Sequence, residues 1–316
     1  MGGYVLKRVL FMIPTMIGIS IGIFLMVRLL PGDIIDVLLG GDLSSTDELK
    51  QQARDQLGLN GSYVEQYWRW VSGIPLGDFG FSYRNTQPVS EILLNALPIT
   101  LELVFLGLLI AVLIGLPLGV LSAVKRDSRH DYVARVGGLI GVSIPNFWLA
   151  TLLLIFTSRV LDWVPPLSYV PFYKDPIANL SQFILPAIAI SVFTLAIVMR
   201  MVRATMLEVL GQDYVRTARA KGVRRKVVIS RHALRNALIP VVTVVGFEIG
   251  ILMGGSAIVE IIFGLPGIGN TLINAIFNRD YPVVQAATLL LAFTFIFFNL
   301  IVDLLYGVLD PRISQE

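Results

Sequence analysis

Long apolar blocks, each able to cross a bilayer as a helix, alternate along this chain with short charged segments. They cover roughly residues 9–30, 98–124, 136–158, 181–203, 237–262 and 284–308, and about 20 apolar residues at 1.5 Å rise suffice for about 30 Å of hydrocarbon. Backbone polar groups cannot be left unpaired against lipid, so the blocks are expected to be helices. Only 15% of the 316 residues are charged, against about 25% in a soluble domain. The expected fold class is an all-α membrane protein with six transmembrane helices, residues 1–316 forming a single transmembrane domain. Val9–Leu30 is longer than the apolar core of a secretory signal and no small-residue cleavage site follows it, so it is expected to remain as the first span.

Orientation follows from lysine and arginine in the short loops. Lys7 and Arg8 precede the first span, Lys125, Arg126, Arg129 and Arg135 follow the second, and the segment after the fourth is more basic still. These three lie on one face of a six-span arrangement, which predicts that both termini are cytoplasmic. The net charge of +3 is explained by this placement, and no nucleic-acid partner is implied. The predicted outer segment 31–97 carries four basic residues against nine acidic ones. Within it Ser45-Thr46-Asp47-Glu48 and Ser62-Tyr63-Val64-Glu65 read as capping boxes. They start two short amphipathic helices, stopped by Gly58 and Gly73. Such helices suit either the bilayer interface, with Trp68 and Trp70 at headgroup level, or a soluble partner.

Catalytic motifs are missing. No lysine stands in a G-K-[ST] phosphate loop, no G-x-S-x-G elbow occurs, and with no cysteine there are neither disulfides nor thiolate metal sites. His130 and His232 are far apart, and neither has a second ligand nearby, so no metal site is expected. The chain is expected to be no enzyme.

Ionisable groups inside the blocks are few. Glu248 lies midway along the fifth, where it either lines a solute path or packs helices as a hydrogen-bonded carboxyl. Glu102, Arg200, Glu260 and Asp303 lie nearer block ends, where snorkelling to the surface is expected. Gly246, Gly250 and Gly254 recur every four residues, a spacing that favours close helix packing. Ser143, Pro145 and Asn146 interrupt the third block with a proline, which either kinks a helix or breaks it beside a path.

The segment 204–236 is too patterned for a connector. From Arg200 to Arg235 the chain holds ten of its 25 basic residues. Gly211 ends an extension of the fourth span, Asp213 is a plausible N-cap, and a short helix Tyr214–Lys221 is expected to stop at Gly222. Ala218 and Ala220 make it small enough to enter a groove rimmed by the charges of Arg216, Arg219 and Lys221. A basic loop touching anionic lipid is the plainer alternative, but it requires neither ten charges nor a helix bounded by glycines.

"DYVRTARAKG" (213–222) resembles the cytoplasmic motif of ABC importer permeases, Glu-Ala-Ala, three residues, Gly, nine residues, then Ile-x-Leu-Pro. Gly222 fits the motif glycine and Ala218 the second alanine, while His232 replaces the isoleucine and the proline is delayed to Pro240. "RHALRNALIPVVTVVG" (231–246), "RVLFMIPTMIGI" (8–19), "RLLPGD" (28–33), "LGLN" (57–60), "GDFGFS" (77–82), "SIPNFW" (143–148), "RDYPVVQ" (279–285) and "NLIVDLLYGVLDPRI" (299–313) are similar, in order, to the B-type permease of dipeptide, oligopeptide and nickel importers. That resemblance implies a type I importer permease fold with a cytoplasmic coupling helix. The coupling interface would comprise Asp213, Tyr214, Arg216, Thr217, Ala218, Ala220, Lys221 and Gly222. It implies a second homologous permease forming a heterodimer, two ABC ATPase subunits that bind ATP and Mg, and an extracytoplasmic solute-binding protein received by 31–97. No cofactor is implied in this chain. The expected function is ATP-driven import across a bacterial or archaeal plasma membrane, of di- or oligopeptides, with nickel, opine or oligosaccharide as the alternative. A stand-alone channel or secondary carrier is the more distant one, since no internal repeat is found and only Glu248 is ionisable in mid-membrane.

Overall fold

The computed structural model describes residues 2–29, 35, 47–56 and 58–309. The helices, in chain order, are α1 (Gly2–Leu29), α2 (Asp47–Gln56), α3 (Tyr63–Gly73), α4 (Val89–Val124), α5 (Arg129–Ser143), α6 (Asn146–Val160), α7 (Pro176–Leu210), α8 (Asp213–Ala220), α9 (Arg225–Ile262), α10 (Ile268–Phe277) and α11 (Tyr281–Leu309). Five are long and apolar enough to span a membrane, and the α5–α6 pair makes a sixth crossing if taken as one broken span. At 1.5 Å per residue the 36 residues of α4 reach about 54 Å, well beyond the hydrocarbon.

The third apolar block is not one kinked helix. α5 and α6 meet at 101°. Pro145 has no N–H and disfavours helical backbone at the residue before it, and both Ile144 and Pro145 are extended (ψ 120° and 135°).

Two compact units are present. One is built on Leu101–Leu265 with the chain from Phe297 onward. Its axis is α7, which is capped at its start by Asp175, whose Oδ1 accepts the Ile177 and Ala178 N–H groups at 3.0 Å. Phe183, Ile190, Val198, Val202 and Met206 along α7 are fully buried, and α5, α6 and α9 pack on it. α4 approaches α7 through glycines: a Cβ on Gly115 would sit 2.9 Å from the Leu195 carbonyl oxygen, and one on Gly119 2.6 Å from that of Met199. Small residues give this proximity where no hydrophobic force draws helices together in lipid. On α9 the expected glycine stripe is divided. Gly246 leaves no room for a Cβ beside Val302, whereas Gly254 faces open space.

The other unit comprises Gly2–Thr100 and Pro266–Ile296. Its core gathers Val27, Val89, Leu93, Ala96, Ile268, Val283 and Ala286. The Thr100 hydroxyl accepts the Ile268 N–H at 2.8 Å and so caps α10. The second capping box is present as expected, with the Ser62 side chain accepting from the Glu65 N–H and Glu65 accepting from the Ser62 N–H. Ser45 and Thr46 of the first box lie outside the described residues. α3 lies along α1 through Tyr67, whose ring meets Phe24 at 5.5 Å and whose hydroxyl is 2.9 Å from that of Ser20.

Candidate functional site

Helix α8 follows α7 after a short break. Gly211 closes α7, and α8 begins at Asp213, one residue earlier than expected. Asp213 is therefore not the cap. Gln212 occupies that position and makes no side-chain capping bond, while Asp213 lies in the first turn, 3.5 Å from Arg216. The C-terminal end is better defined. The Val223 N–H donates to the Ala218 carbonyl and the Gly222 N–H to that of Arg219, the two bonds of a Schellman motif. Gly222 holds φ +76°, where a side chain is strained.

Only one residue of α8 is fully buried, Val215. Tyr214 accepts a hydrogen bond from the Asn236 amide at 2.8 Å, and Thr217 donates to the Asp213 carbonyl at 3.0 Å. The helix rests on the π-helical turn Val228–Ala233 inside α9, whose Ala233 joins Val198, Val202, Met206 and Val241 in a second core cluster. Asp213, Arg216, Thr217, Ala220 and Lys221 are exposed, as is Gly222, and Ala218 is half-buried. The expected interface residues thus share one short helix and its cap, anchored beneath by Val215 and open above.

The candidate path residues divide. Ser143 and Pro145 are exposed and Asn146 half-buried, all at the α5–α6 break, and the Ser143 hydroxyl donates to the Leu139 carbonyl. Glu248 is buried on α9 and accepts a hydrogen bond from Thr194 of α7 at 2.8 Å. No hydrogen bond among the described residues joins it to the break. Glu260 does not snorkel: it is fully buried and accepts from Ser256 at 2.9 Å. Arg200 is exposed, and the side chain of Asp303 lies outside the described residues. No cluster of metal-ligating side chains occurs among the described residues.

Sequence reading passed over two polar constellations. Asp131, in the first turn of α5, takes both forks of the Arg203 guanidinium, the Ser122 hydroxyl and the Asp127 N–H. Two acids, Asp127 and Asp131, in an otherwise basic loop were the available signal. The second joins two of the quoted motifs. Asp280 of "RDYPVVQ" accepts from the Ser82 hydroxyl of "GDFGFS" and from the Tyr83 N–H, and Arg84 donates to Asn278. Burial pushes the Tyr83 phenol above its usual range.

The family described as binding-protein-dependent transport system inner membrane component matches residues 115–315, and the N-terminal component of the same systems matches residues 1–104. A putative peptide transport system permease protein of Brucella suis is 43% identical over 316 residues, the whole of both chains. The dipeptide transport system permease protein of Escherichia coli K12 is 41% identical over 336 residues, covering 99% of each. A crystal structure of an amino acid ABC transporter with histidines superposes with a TM-score of 0.53 at 18% identity, over 69% of this chain and 94% of that one, and so shares the fold. The chain belongs to the binding-protein-dependent transport family as a multi-pass membrane permease, with the fold of an ABC importer's transmembrane subunit.

Proposed function

We propose that this chain forms half of a peptide importer's translocation path, completed by a second homologous permease and driven by two ATPase subunits that dock on α8. The observation that carries this reading is α8 itself, a short exposed helix on a single buried anchor, closed at Gly222 where the family resemblance requires a glycine. Both termini and α8 lie in the cytoplasm in this reading, and the 31–97 segment faces a binding protein on the other side of an inner membrane. Hydrolysis belongs to the ATPases, and this chain converts their closure into movement of α7 and α9. The peptide names of full-length relatives support the choice of substrate.

The test is reconstitution of the four-subunit complex in proteoliposomes with its binding protein. ATP-dependent uptake of a labelled dipeptide is expected, with loss of ATPase co-elution for Gly222→Trp. Uptake by this chain without ATPases, or transport of nickel or an oligosaccharide in place of peptides, would overturn the reading.

A further inference from the structure

A cavity of about 700 Å³ lies within the unit built on Gly2–Thr100 and Pro266–Ile296, between the end of α1, α3, the 78–86 loop and the start of α11. That volume is typical of small-molecule sites. The loop that walls it is tied to the start of α11 by the Ser82–Asp280 contact.

Its polar walls are unusual in two respects. First, Arg28 and Arg69 are matched there by Asp55 and Asp78, two charges of each sign. Second, four wall residues carry buried polar atoms without a hydrogen-bond partner: Arg28 Nε, Trp70 Nε1, Gln285 Nε2 and Gln66 Oε1. Gln66 and Gln285 are each more than nine-tenths buried. Such atoms are costly when left unpaired, and six are present among the described residues, four of them around this one cavity. Arg28 is held in place by aromatic faces, 5.3 Å from the Phe24 ring and 5.8 Å from that of Tyr281, which do not engage its Nε–H.

Three unpaired donors call for an anionic oxygen, and two aspartates call for a cation. One small ligand supplies both if it is a zwitterion. A peptide also brings neutral amide N–H groups, the partner that Gln66 Oε1 lacks, whereas a phosphoethanolamine headgroup brings only charged donors. Phe24, Phe79 and Phe81 beside these groups offer apolar surface to side chains of varied shape.

We propose that this cavity binds a short peptide, its carboxylate facing Arg28, Trp70 and Gln285 and its ammonium facing Asp55 and Asp78. The proposal rests on the peptide-importer reading and adds a resting site in the permease itself, on the side that the proposed topology turns outward.

The experiment uses the four-subunit complex in nanodiscs without its binding protein, titrated with labelled Ala-Phe. Saturable binding is expected, weakened about tenfold or more by Trp70→Phe, which removes the N–H and keeps the ring, and by Arg28→Gln. N-acetyl-Ala-Phe and Ala-Phe amide should compete at least about tenfold less well than Ala-Phe. Absence of saturable binding while the complex with its binding protein still imports Ala-Phe overturns the site and leaves the importer reading intact. Binding that persists unchanged in both variants also overturns it. So does native mass spectrometry that finds phosphatidylethanolamine retained by the wild type and released by Arg28→Gln, which assigns the cavity to lipid. Ala-Phe binding without Ala-Phe import keeps the site and overturns the importer's substrate.

Discussion

Asp131 of α5 and Arg203 of α7 meet through two parallel bonds, Nε to Oδ1 at 2.8 Å and Nη2 to Oδ2 at 2.9 Å. The Asp131 side chain is 1% exposed and that of Arg203 22%. Removing one partner of such a pair leaves an uncompensated buried charge, at a cost of about 3–5 kcal/mol. Arg203→Met should therefore lower the unfolding temperature of the purified complex sharply, and the double variant Asp131→Leu with Arg203→Met should regain much of the loss. Equal unfolding temperatures for wild type and Arg203→Met would show that the pair does not hold α5 to α7.

Gly222 makes a separate prediction. Its φ of +76° strains any side chain, but a Cβ there would meet nothing within 4 Å. The penalty is one of backbone conformation, about 1 kcal/mol for alanine. Gly222→Asn should retain most ATPase co-elution in a pull-down, Gly222→Ala less, and the β-branched Gly222→Val least. An order set by side-chain bulk alone would instead point to a steric limit imposed by the partner.

Thr194 decides between the two readings of Glu248. Thr194→Val removes the hydroxyl that bonds the buried carboxyl and should destabilise by about 1–3 kcal/mol. Glu248→Gln keeps a hydrogen-bonding group of the same shape. Near-normal uptake with Glu248→Gln and lowered thermal stability with Thr194→Val would assign the residue to packing. Loss of uptake with Glu248→Gln at unchanged stability would assign it to the solute path.

The glycines on two helices should behave oppositely. Gly119→Ala places a Cβ 2.6 Å from the Met199 carbonyl and 2.7 Å from the Val202 Cβ, so α4 must move away from α7. Gly254→Ala meets nothing within 4 Å and gains about 1 kcal/mol of helix propensity. Thermal unfolding in detergent should show Gly119→Ala less stable and Gly254→Ala no less stable than wild type.

What could be read from the chain was what neighbouring residues decide together. The Ser62–Glu65 capping box, the stop at Gly222 and the end of α7 at Gly211 each involve groups a few positions apart, and each stands in the structure where its pattern placed it. Asp213 was displaced by one position because a backbone turn at Gln212 starts α8 without a side-chain cap. The long-range pairs were illegible: Asp131 with Arg203, 72 residues apart, and Ser82 with Asp280, 198 apart. No periodicity links such positions. Gly115 and Gly119 show the same limit, because what makes them matter is the α7 backbone opposite. Pro145 announced a break, but the 101° turn depends on packing around it.

That turn has a consequence for the permeability barrier. α5 and α6 have 15 residues each, about 22 Å of helix, so neither strut matches a hydrocarbon layer of about 30 Å. The bent pair cannot seal its stretch of membrane by itself. Whatever stands opposite the elbow at Ile144 and Pro145 must complete the barrier there, and α7, which packs on both struts, and α9, which packs on α6, are the parts of this chain placed to do so.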